Sequence, residues 1–284
     1  MQVAGETTRR HSRAAKRWGD VAAYALLTLF SLGILLPILW TLRTSLAPEV
    51  IVYRIPPPPY FKPTLANYLE LLEVNEFGRY LRNSLVVAIG TTAISVPIAA
   101  MGGWAFARFN TGGRTMQFVI LSTQMLPGIV LILPLFVLFT KLHLKDTLHG
   151  LVWAYLAFNL PFLVWLLMGF FQGIPRELEE AAMIDGTSYV GAFFRVIFPT
   201  AAPGVMSAAV LSFVMAWNEF LFALILTGSG TNTIPVMLAA MQTHRGVLIG
   251  RLAAATMIAV APMILLSLSV QRYLVRGLTF GAIK

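Results

Sequence analysis

The stretch that decides the fold is VAAYALLTLFSLGILLPILWTL, residues 21–42, which contains no charged side chain. A bilayer core of about 30 Å is crossed by roughly 20 apolar residues in a helix, which satisfies its own backbone hydrogen bonds. The run is too long for the apolar region of a signal peptide, and Arg43 and Thr44 follow it instead of a small-residue cleavage pattern. We therefore predict a membrane-spanning helix that stays attached to the chain.

Five further windows have the same character. They cover residues 83–107, 115–140, 150–173, 203–227 and 252–271. The 284 residues are 57% hydrophobic, only 12% charged and free of cysteine, which is not the composition of a soluble domain. Several prolines are expected to bend or interrupt these spans: Pro97, Pro127, Pro134, Pro161 and Pro262. We predict an all-α integral membrane protein with six transmembrane helices.

Basic residues predict the orientation of these spans, because Lys and Arg accumulate in cytoplasmic segments of membrane proteins. With a cytoplasmic N-terminus, twelve of them lie inside: Arg9, Arg10, Arg13, Lys16, Arg17, Arg108, Arg114, Arg176, Arg195, Arg272, Arg276 and Lys284. Six lie outside: Arg54, Lys62, Arg79, Lys141, Lys145 and Arg245, and three lie at the borders of spans: Arg43, Arg82 and Arg251. We therefore predict that both termini are cytoplasmic. The net charge of +9 then reflects topology and anionic lipid, and no nucleic acid partner is needed.

The predicted cytoplasmic loop between spans four and five, residues 174–200, contains the acidic stretch ELEEAAMIDG at 177–186. Four of the twelve acidic residues of the chain lie in this stretch. Pro175 suits the first position of a helix, and acids in a first turn oppose the positive end of the helix dipole. Gly186 would end that helix, and Pro199 would stop a second, amphipathic helix. The pattern predicts a short helix, a glycine corner and another helix.

Catalytic or metal-dependent chemistry has little support in the sequence. The chain has no cysteine and four histidines, and it lacks the HExxH motif and the phosphate-binding GxxxxGK[ST] motif. Carboxylates on different faces of one helical turn cannot surround a cation. We therefore expect no catalytic residue and no metal site.

The segment EAAMIDG at 180–186, followed by nine residues and then VIFP at 196–199, resembles the EAA motif. That motif belongs to permease subunits of binding-protein-dependent ABC importers, in which the loop carries a coupling helix that sits in a cleft of the ATP-hydrolysing subunit. Small alanines would permit close approach to that partner, and a glutamate can pair with a partner arginine. The resemblance implies that ATPase coupling rests on six loop residues: Glu179, Glu180, Ala181, Ala182, Asp185 and Gly186.

Three other stretches are similar to the carbohydrate branch of this family, the maltose-type permeases. They are AWNEFLFALILT at 216–227, NTIPVML at 232–238 and QRYLVRGLTFGAIK at 271–284. The likeness extends from about residue 21 to residue 284. In such relatives the C-terminal tail reaches toward the ATPase subunits, which implies four more coupling candidates here: Gly277, Leu278, Thr279 and Gly281.

Three residues of the fifth predicted span are candidates for the substrate pathway: Trp217, Asn218 and Glu219. Glu219 lies sixteen residues beyond Pro203, which is about 24 Å along a helix. A carboxylate in a membrane usually faces a cavity or a partner, with snorkelling to the interface as the alternative. Trp217 is able to stack on a sugar ring, although Trp is also common at membrane interfaces.

The resemblance implies a permease subunit of an ATP-driven sugar importer, in a bacterial or archaeal plasma (inner) membrane, that works by alternating access. The implied partners are a second homologous permease subunit, two ATP-binding subunits, an extracytoplasmic solute-binding protein, sugar and membrane lipid. The chain itself would be no enzyme and would bind no cofactor, because ATP and Mg²⁺ belong to the partner subunits. On this basis residues 1–20 are a basic segment, 21–273 the permease domain and 274–284 a cytoplasmic tail.

Two alternatives stay open. One is a permease for another solute, such as a polyol or a glycerol-phosphate compound. The other is a secondary transporter, which would carry inverted repeats and ion-coupling charges, whereas the sequence shows no repeat and only Glu219 as a clear buried charge. The sequence identifies neither the sugar nor whether the second permease subunit is a copy of this chain.

The charge distribution generates a topology prediction. A reporter fused after Lys284 should be cytoplasmic, and one inserted near Lys62 should be extracytoplasmic, because basic residues accumulate inside. Paired reporters active on opposite sides of the membrane measure this directly. The reversed pattern would remove the loop at 174–200 from the cytoplasm and contradict its proposed role.

Overall fold

The computed structural model describes residues 4–74, 76–109, 111–243 and 246–279, with side chains described at 19–73, 76–109, 111–241, 248–269 and 271. Within these residues the chain is almost entirely helical. The helices in chain order are α1 (Ala4–Ser45), α2 (Glu49–Val52), α3 (Ala66–Val74), α4 (Phe77–Phe109), α5 (Gly113–Gln124), α6 (Gly128–Lys141), α7 (Leu148–Gln172), α8 (Glu177–Ile184), α9 (Tyr189–Ala192), α10 (Phe198–Thr200), α11 (Ala202–Trp217), α12 (Leu221–Leu226), α13 (Ile234–Ala240) and α14 (Ile249–Thr279). A π-helical segment, Phe193–Ile197, joins α9 to α10. Strands β1 (Gln242–Thr243) and β2 (Gly246–Val247) form a small antiparallel hairpin. The predicted all-α class is confirmed.

Four helical segments are long and apolar enough to cross a membrane unbroken: Gly19–Ser45, Phe77–Phe109, Leu148–Gln172 and Ile249–Ser269. Two pairs of helices, each pair separated by a bend, qualify only when each pair is counted as one span. They are Gly113–Gln124 with Gly128–Lys141, at 88°, and Tyr189–Thr200 with Ala202–Trp217, at 78°. The described chain therefore has between four and six candidate spans, and the predicted number of six depends on the bent pairs.

One of the five prolines lies at a break between helices: Pro127, at the bend between α5 and α6. The other four lie inside helices: Pro97 in α4, Pro134 in α6, Pro161 in α7 and Pro262 in α14. A proline removes one backbone donor, and a long apolar helix with packed neighbours tolerates that loss.

The fifth predicted span differs most from the structure. Its window at 203–227 is divided into α11 and the short α12, with three non-helical residues between them. A continuous apolar window does not distinguish a straight helix from a broken one, because both bury the same side chains.

The described chain divides into two compact units. The smaller comprises Met1–Glu70 with Leu248–Met257, and the larger comprises Leu71–Val247 with Ile258–Lys284. In the smaller unit, Asn67 Nδ2 donates to the carbonyl oxygens of Ser45 and Ala47, each at 2.9 Å. These bonds tie α3 to the C-terminal end of α1.

In the larger unit, α4 and α7 pack at close range because small residues line their contact. A Cβ added at Gly103 would lie 2.8 Å from the amide nitrogen of Met168 and 3.1 Å from Leu167. Ala99 and Ala100 are fully buried in the same core. Small residues of this kind let membrane helices approach closely, which compensates for the weak hydrophobic drive between helices in lipid.

Polar side chains also connect α4, α7 and α11. The hydroxyl oxygens of Ser95 and Ser212 are 3.0 Å apart, and Asn159 Nδ2 donates to the Ser212 carbonyl at 3.3 Å. Hydrogen bonds between membrane helices contribute modestly to their association. The three helices thus form one unit.

The same core extends into the loop that follows α7. It continues from Leu167 and Phe171 to Phe193 and Ile197, which are buried in the segment after α9. The loop at 174–200 is therefore packed on the helical core through apolar side chains.

The close contact at Gly103 generates a stability prediction. Gly103→Ala should lower the thermal midpoint of the purified protein, because its Cβ would meet the backbone of α7 and overpacking typically costs about 1–3 kcal/mol. Gly169→Ala on α7 is the matched control, since nothing lies within 4 Å of its added Cβ. Equal midpoints for both variants would contradict close packing at Gly103.

Candidate functional site

The acidic stretch forms α8, an eight-residue helix whose sides have different surroundings. Glu179 and Ala182 are buried, at 5% and 7% exposure. The remaining loop candidates are exposed: Glu180, Ala181, Asp185 and Gly186. The helix begins at Glu177, so Pro175 precedes it and is not its first residue.

Gly186 provides the sharp corner after α8. Its φ of +86° lies in the left-handed region, which a residue with a side chain rarely adopts. The predicted glycine corner is confirmed. Ser188 then caps α9, because its hydroxyl accepts from the amide of Gly191 at 3.1 Å.

The buried side of α8 is attached to α4 through Glu179. Its Oε1 accepts from Arg108 Nε at 2.7 Å and from Trp104 Nε1 at 2.9 Å. The side chains of Arg108 and Glu179 are 5% and 6% exposed. Arg108 Nη2 also donates to the Ile174 carbonyl at 2.9 Å. A buried carboxylate is tolerated only when it is paired and hydrogen-bonded, and Glu179 is both.

Glu179 and Ala182 are thus buried within this chain, and their predicted coupling role stays a prediction. Ala182 packs inward, and its carbonyl accepts from the Thr187 hydroxyl at 2.6 Å. Sequence reasoning missed Arg108 and Trp104 because they precede Glu179 by 71 and 75 residues. One clue was available: a tryptophan and an arginine lie four residues apart, on one face, at the end of an apolar window.

Aromatic rings form a second attachment between the loop and α4. The ring of Trp104 lies 4.8 Å from that of Phe193 and 5.4 Å from that of Phe109, and the Phe109 ring lies 5.7 Å from that of Tyr189. Phe193 begins the π-helical segment, a deviation from α-helix that is frequent at functional sites. The loop is thus held by polar and aromatic contacts together.

Pro199 does not stop the second loop helix as predicted. It lies within α10, which continues to Thr200, and the bend into α11 follows at Ala201. The first turn of a helical segment needs no internal amide donor, so a proline is accepted there.

The outward side of the loop combines apolar and acidic side chains. Ile184 is 86% exposed, Leu178 40%, and Phe194 54%. Around them lie the exposed acids Glu177, Glu180 and Asp185, for which the described residues provide no ion pair. We call this set of six residues the α8 face. An exposed apolar patch with a polar rim is typical of a protein-binding surface.

The three pathway candidates lie at the break between α11 and α12, in different surroundings. Trp217 is buried and donates from Nε1 to the Ala259 carbonyl at 3.2 Å, so its ring is not available for stacking on a sugar. Asn218 is exposed, with its Nδ2 donating to the Val214 carbonyl at 2.9 Å. Trp217 thus packs between helices in this structure, and its predicted pathway role stays a prediction.

Glu219 faces the backbone of its own chain. Its two carboxylate oxygens accept from the amides of Phe222 at 2.9 Å and Ala223 at 3.1 Å. The first amides of α12 have no partner inside the helix, and a carboxylate is a strong acceptor for them. These contacts give Glu219 a capping role, and its predicted place in the substrate pathway stays a prediction.

The C-terminal candidates fall largely outside the described residues. Gly277, Leu278 and Thr279 belong to the last turn of α14, but their side chains are not described. Gly281 lies outside the described residues altogether. Among the described residues, no group of three or more His, Asp or Glu is placed to hold a metal ion.

Comparison with known proteins assigns the chain to a family. The family model for the binding-protein-dependent transport system inner membrane component matches residues 95–280. The trehalose/maltose transport system permease protein MalG of Thermococcus litoralis is 35% identical over 261 residues, covering 90% of this chain and 94% of that protein. The sulfoquinovosyl glycerol transport system permease protein SmoH of Agrobacterium fabrum is 35% identical over 254 residues, covering 88% and 89%.

A solved structure supports the fold. A chain of a bacterial ABC transporter involved in the import of the acidic polysaccharide alginate superposes with a TM-score of 0.74 at 22% identity, covering 92% of this chain and 98% of that one. The family match begins within α4 and includes Trp104, Arg108 and α8. The chain belongs to the binding-protein-dependent transport system inner membrane components and is a multi-pass permease subunit of the ABC transporter class.

Proposed function

We propose that this chain is the permease subunit of an ATP-driven sugar importer, forming half of a translocation pathway that works by alternating access. The observation that carries the proposal is the α8 face, which presents apolar and acidic groups from a loop that is fixed internally to α4. The names of the related trehalose/maltose and sulfoquinovosyl glycerol permeases support a sugar or sugar conjugate as solute.

The α8 face suits a cleft of an ATP-binding subunit. Ile184 and Leu178 would fill apolar pockets, because exposed aliphatic side chains gain most when an interface buries them. Glu180 would pair with a cation of the partner, for which its exposed carboxylate is free within the described residues. Ala181 allows the backbone of α8 to approach closely.

The remaining partners follow from the same proposal. The chain contains no phosphate-binding GxxxxGK[ST] motif, so ATP and Mg²⁺ would be bound by two separate ATP-binding subunits. A second homologous permease subunit would complete the pathway, and an extracytoplasmic solute-binding protein would deliver the sugar. The tail candidates Gly277, Leu278, Thr279 and Gly281 remain proposed for contact with the ATP-binding subunits.

A second candidate solute has a specific observation in its favour. One of the relatives is named for a sugar–glycerol conjugate, which agrees with the alternative of a polyol-containing substrate. Family membership disfavours the other alternative, a secondary transporter. Competition of unlabelled sugars, polyols and sugar–glycerol compounds for uptake would separate these solute classes.

Docking through the α8 face can be tested by co-expression of this chain with its ATP-binding subunit. Ile184→Asp and Glu180→Lys should each reduce co-purification of that subunit about tenfold or more, with ATP-driven sugar uptake falling in parallel, because an interface tolerates neither a buried charge nor a like-charge contact. Glu73→Lys, an exposed charge reversal on α3, is the matched control and should retain co-purification. Wild-type co-purification of all three variants would rule out the α8 face as the docking surface.

The break between α11 and α12 generates a second prediction. Glu219→Gln should lower the thermal midpoint, because an amide nitrogen cannot accept the bond from Ala223 and a hydrogen bond to a charged group contributes about 1.5–3 kcal/mol. Asn218→Ala should leave the midpoint near the wild-type value while changing solute preference, if its exposed amide lines the pathway. An unchanged midpoint for Glu219→Gln would contradict the capping role.

A further inference from the structure

We propose that the buried Arg108–Glu179 ion pair, with Trp104 as its third member, is the joint that delivers movement of α8 to α4 and the helical core. We call these three residues the α4–α8 joint. The inference rests on the proposed function, because it names the residues that connect the docking surface to the spans. It adds Arg108 and Trp104 to the coupling machinery as positioning residues.

The joint contacts the loop at two places, ahead of α8 and within α8. Arg108 reaches Glu179 in α8 with Nε at 2.7 Å and the carbonyl of Ile174, ahead of α8, with Nη2 at 2.9 Å. In return, Arg176 Nη2 donates to the Arg108 carbonyl at 3.4 Å. Trp104 and Arg108 lie four residues apart on one face of α4, so a single carboxylate oxygen receives both donors. Rotation or sliding of α8 against α4 would break several of these bonds together.

Burial makes the joint stiff. With both side chains about nineteen-twentieths buried, separation of the pair would leave two charges in apolar surroundings without water to replace the lost bonds. The planar guanidinium also fixes direction, since its donors point along set lines that a lysine ammonium does not reproduce. A displacement of α8 is therefore transmitted to α4 more readily than it is absorbed between them.

Tight packing carries the displacement onward from α4. Gly103 lies next to Trp104 in the chain and touches the backbone of α7 at Met168. Leu163 and Leu167 of α7 are fully buried in the same core. Close-packed helices that move as units are a physical route by which a local change at one site reaches another.

The carboxylates of Glu179 and Glu180 allow the proposed transmission role to be distinguished from docking. Glu179 faces inward and Glu180 faces outward, so identical Glu→Gln changes at adjacent positions should have different effects. A purely structural role for the joint would impair assembly with the ATP-binding subunit. A transmission role leaves assembly intact and lowers the sugar taken up per ATP hydrolysed.

The test uses the assembled transporter in lipid vesicles, with its ATP-binding subunits and solute-binding protein. Glu179→Gln and Arg108→Gln should each retain co-purification of the ATP-binding subunit while uptake per ATP falls about tenfold or more, since each leaves a buried charge unpaired. Glu73→Gln, at an exposed position of α3 outside the joint and the α8 face, is the matched control and should retain both co-purification and uptake per ATP. In the double variant Arg108→Gln/Glu179→Gln, uptake per ATP should fall no further than in the more impaired single variant. The effects of two substitutions within one ion pair are not additive.

A distance measurement tests the stiffness directly. The chain has no cysteine, so spin labels attached through Met101→Cys on α4 and Val190→Cys in the loop, both at exposed positions outside the α8 face, report the distance between α4 and the loop without a competing thiol in this chain. The distance should stay constant between nucleotide-free and ATP-bound wild-type complexes and should broaden in Glu179→Gln.

Other outcomes would contradict either the joint or the proposed function. A wild-type distance that changes with ATP, loss of co-purification in Glu179→Gln, or wild-type uptake per ATP in that variant would each overturn the joint. Absence of ATP-driven sugar uptake in the wild-type transporter would instead contradict the proposed function, and the label distances in the docked complex would then decide on the joint alone.

Discussion

The burial of one carboxylate, that of Glu179, determines how the loop at 174–200 is arranged on the helical core. An isolated helix of eight residues has little stability of its own, so its position and rotation must come from tertiary contacts. The bonds from Arg108 and Trp104 supply those contacts and fix which side of α8 faces inward. Because that rotation is fixed, Ile184 and the other apolar side chains of the α8 face point away from the chain.

The same requirement, that polar groups in apolar surroundings find partners, governs the interruptions of the membrane-spanning region. Where the helix breaks after α11, the carboxylate of Glu219 accepts from the two amides that the break would leave unpaired. In the core, Ser212 contacts Ser95 through its hydroxyl and Asn159 through its carbonyl, which connects three helices. At these two places the chain itself supplies the partner that a polar group in apolar surroundings needs.

The local sequence was sufficient to predict the features that depend on residues close together in the chain. The windows at 83–107 and 150–173 lie almost wholly within α4 and α7, and the corner at Gly186 has the positive φ that its position between two helices suggested. Glu179 and Glu180 were indistinguishable in sequence, since the residues that bury the first lie more than seventy positions earlier. The burial of Trp217 could not be predicted for the same reason: its bond to Ala259 joins helices that sequence alone does not bring together.

The arrangement separates two tasks that a transporter must perform. Contacts that would couple the chain to an ATP-binding subunit are concentrated on α8 and the end of α4, whereas the break that contains Asn218 lies at the far end of α11, whose sixteen residues extend about 24 Å. Substitutions near that break can therefore alter the solute without touching the Arg108–Glu179 pair. This separation is consistent with relatives that are 35% identical to this chain over the aligned residues and are named for different solutes. A coupling joint of the kind proposed, distant from that break, would let one coupling mechanism serve different solutes.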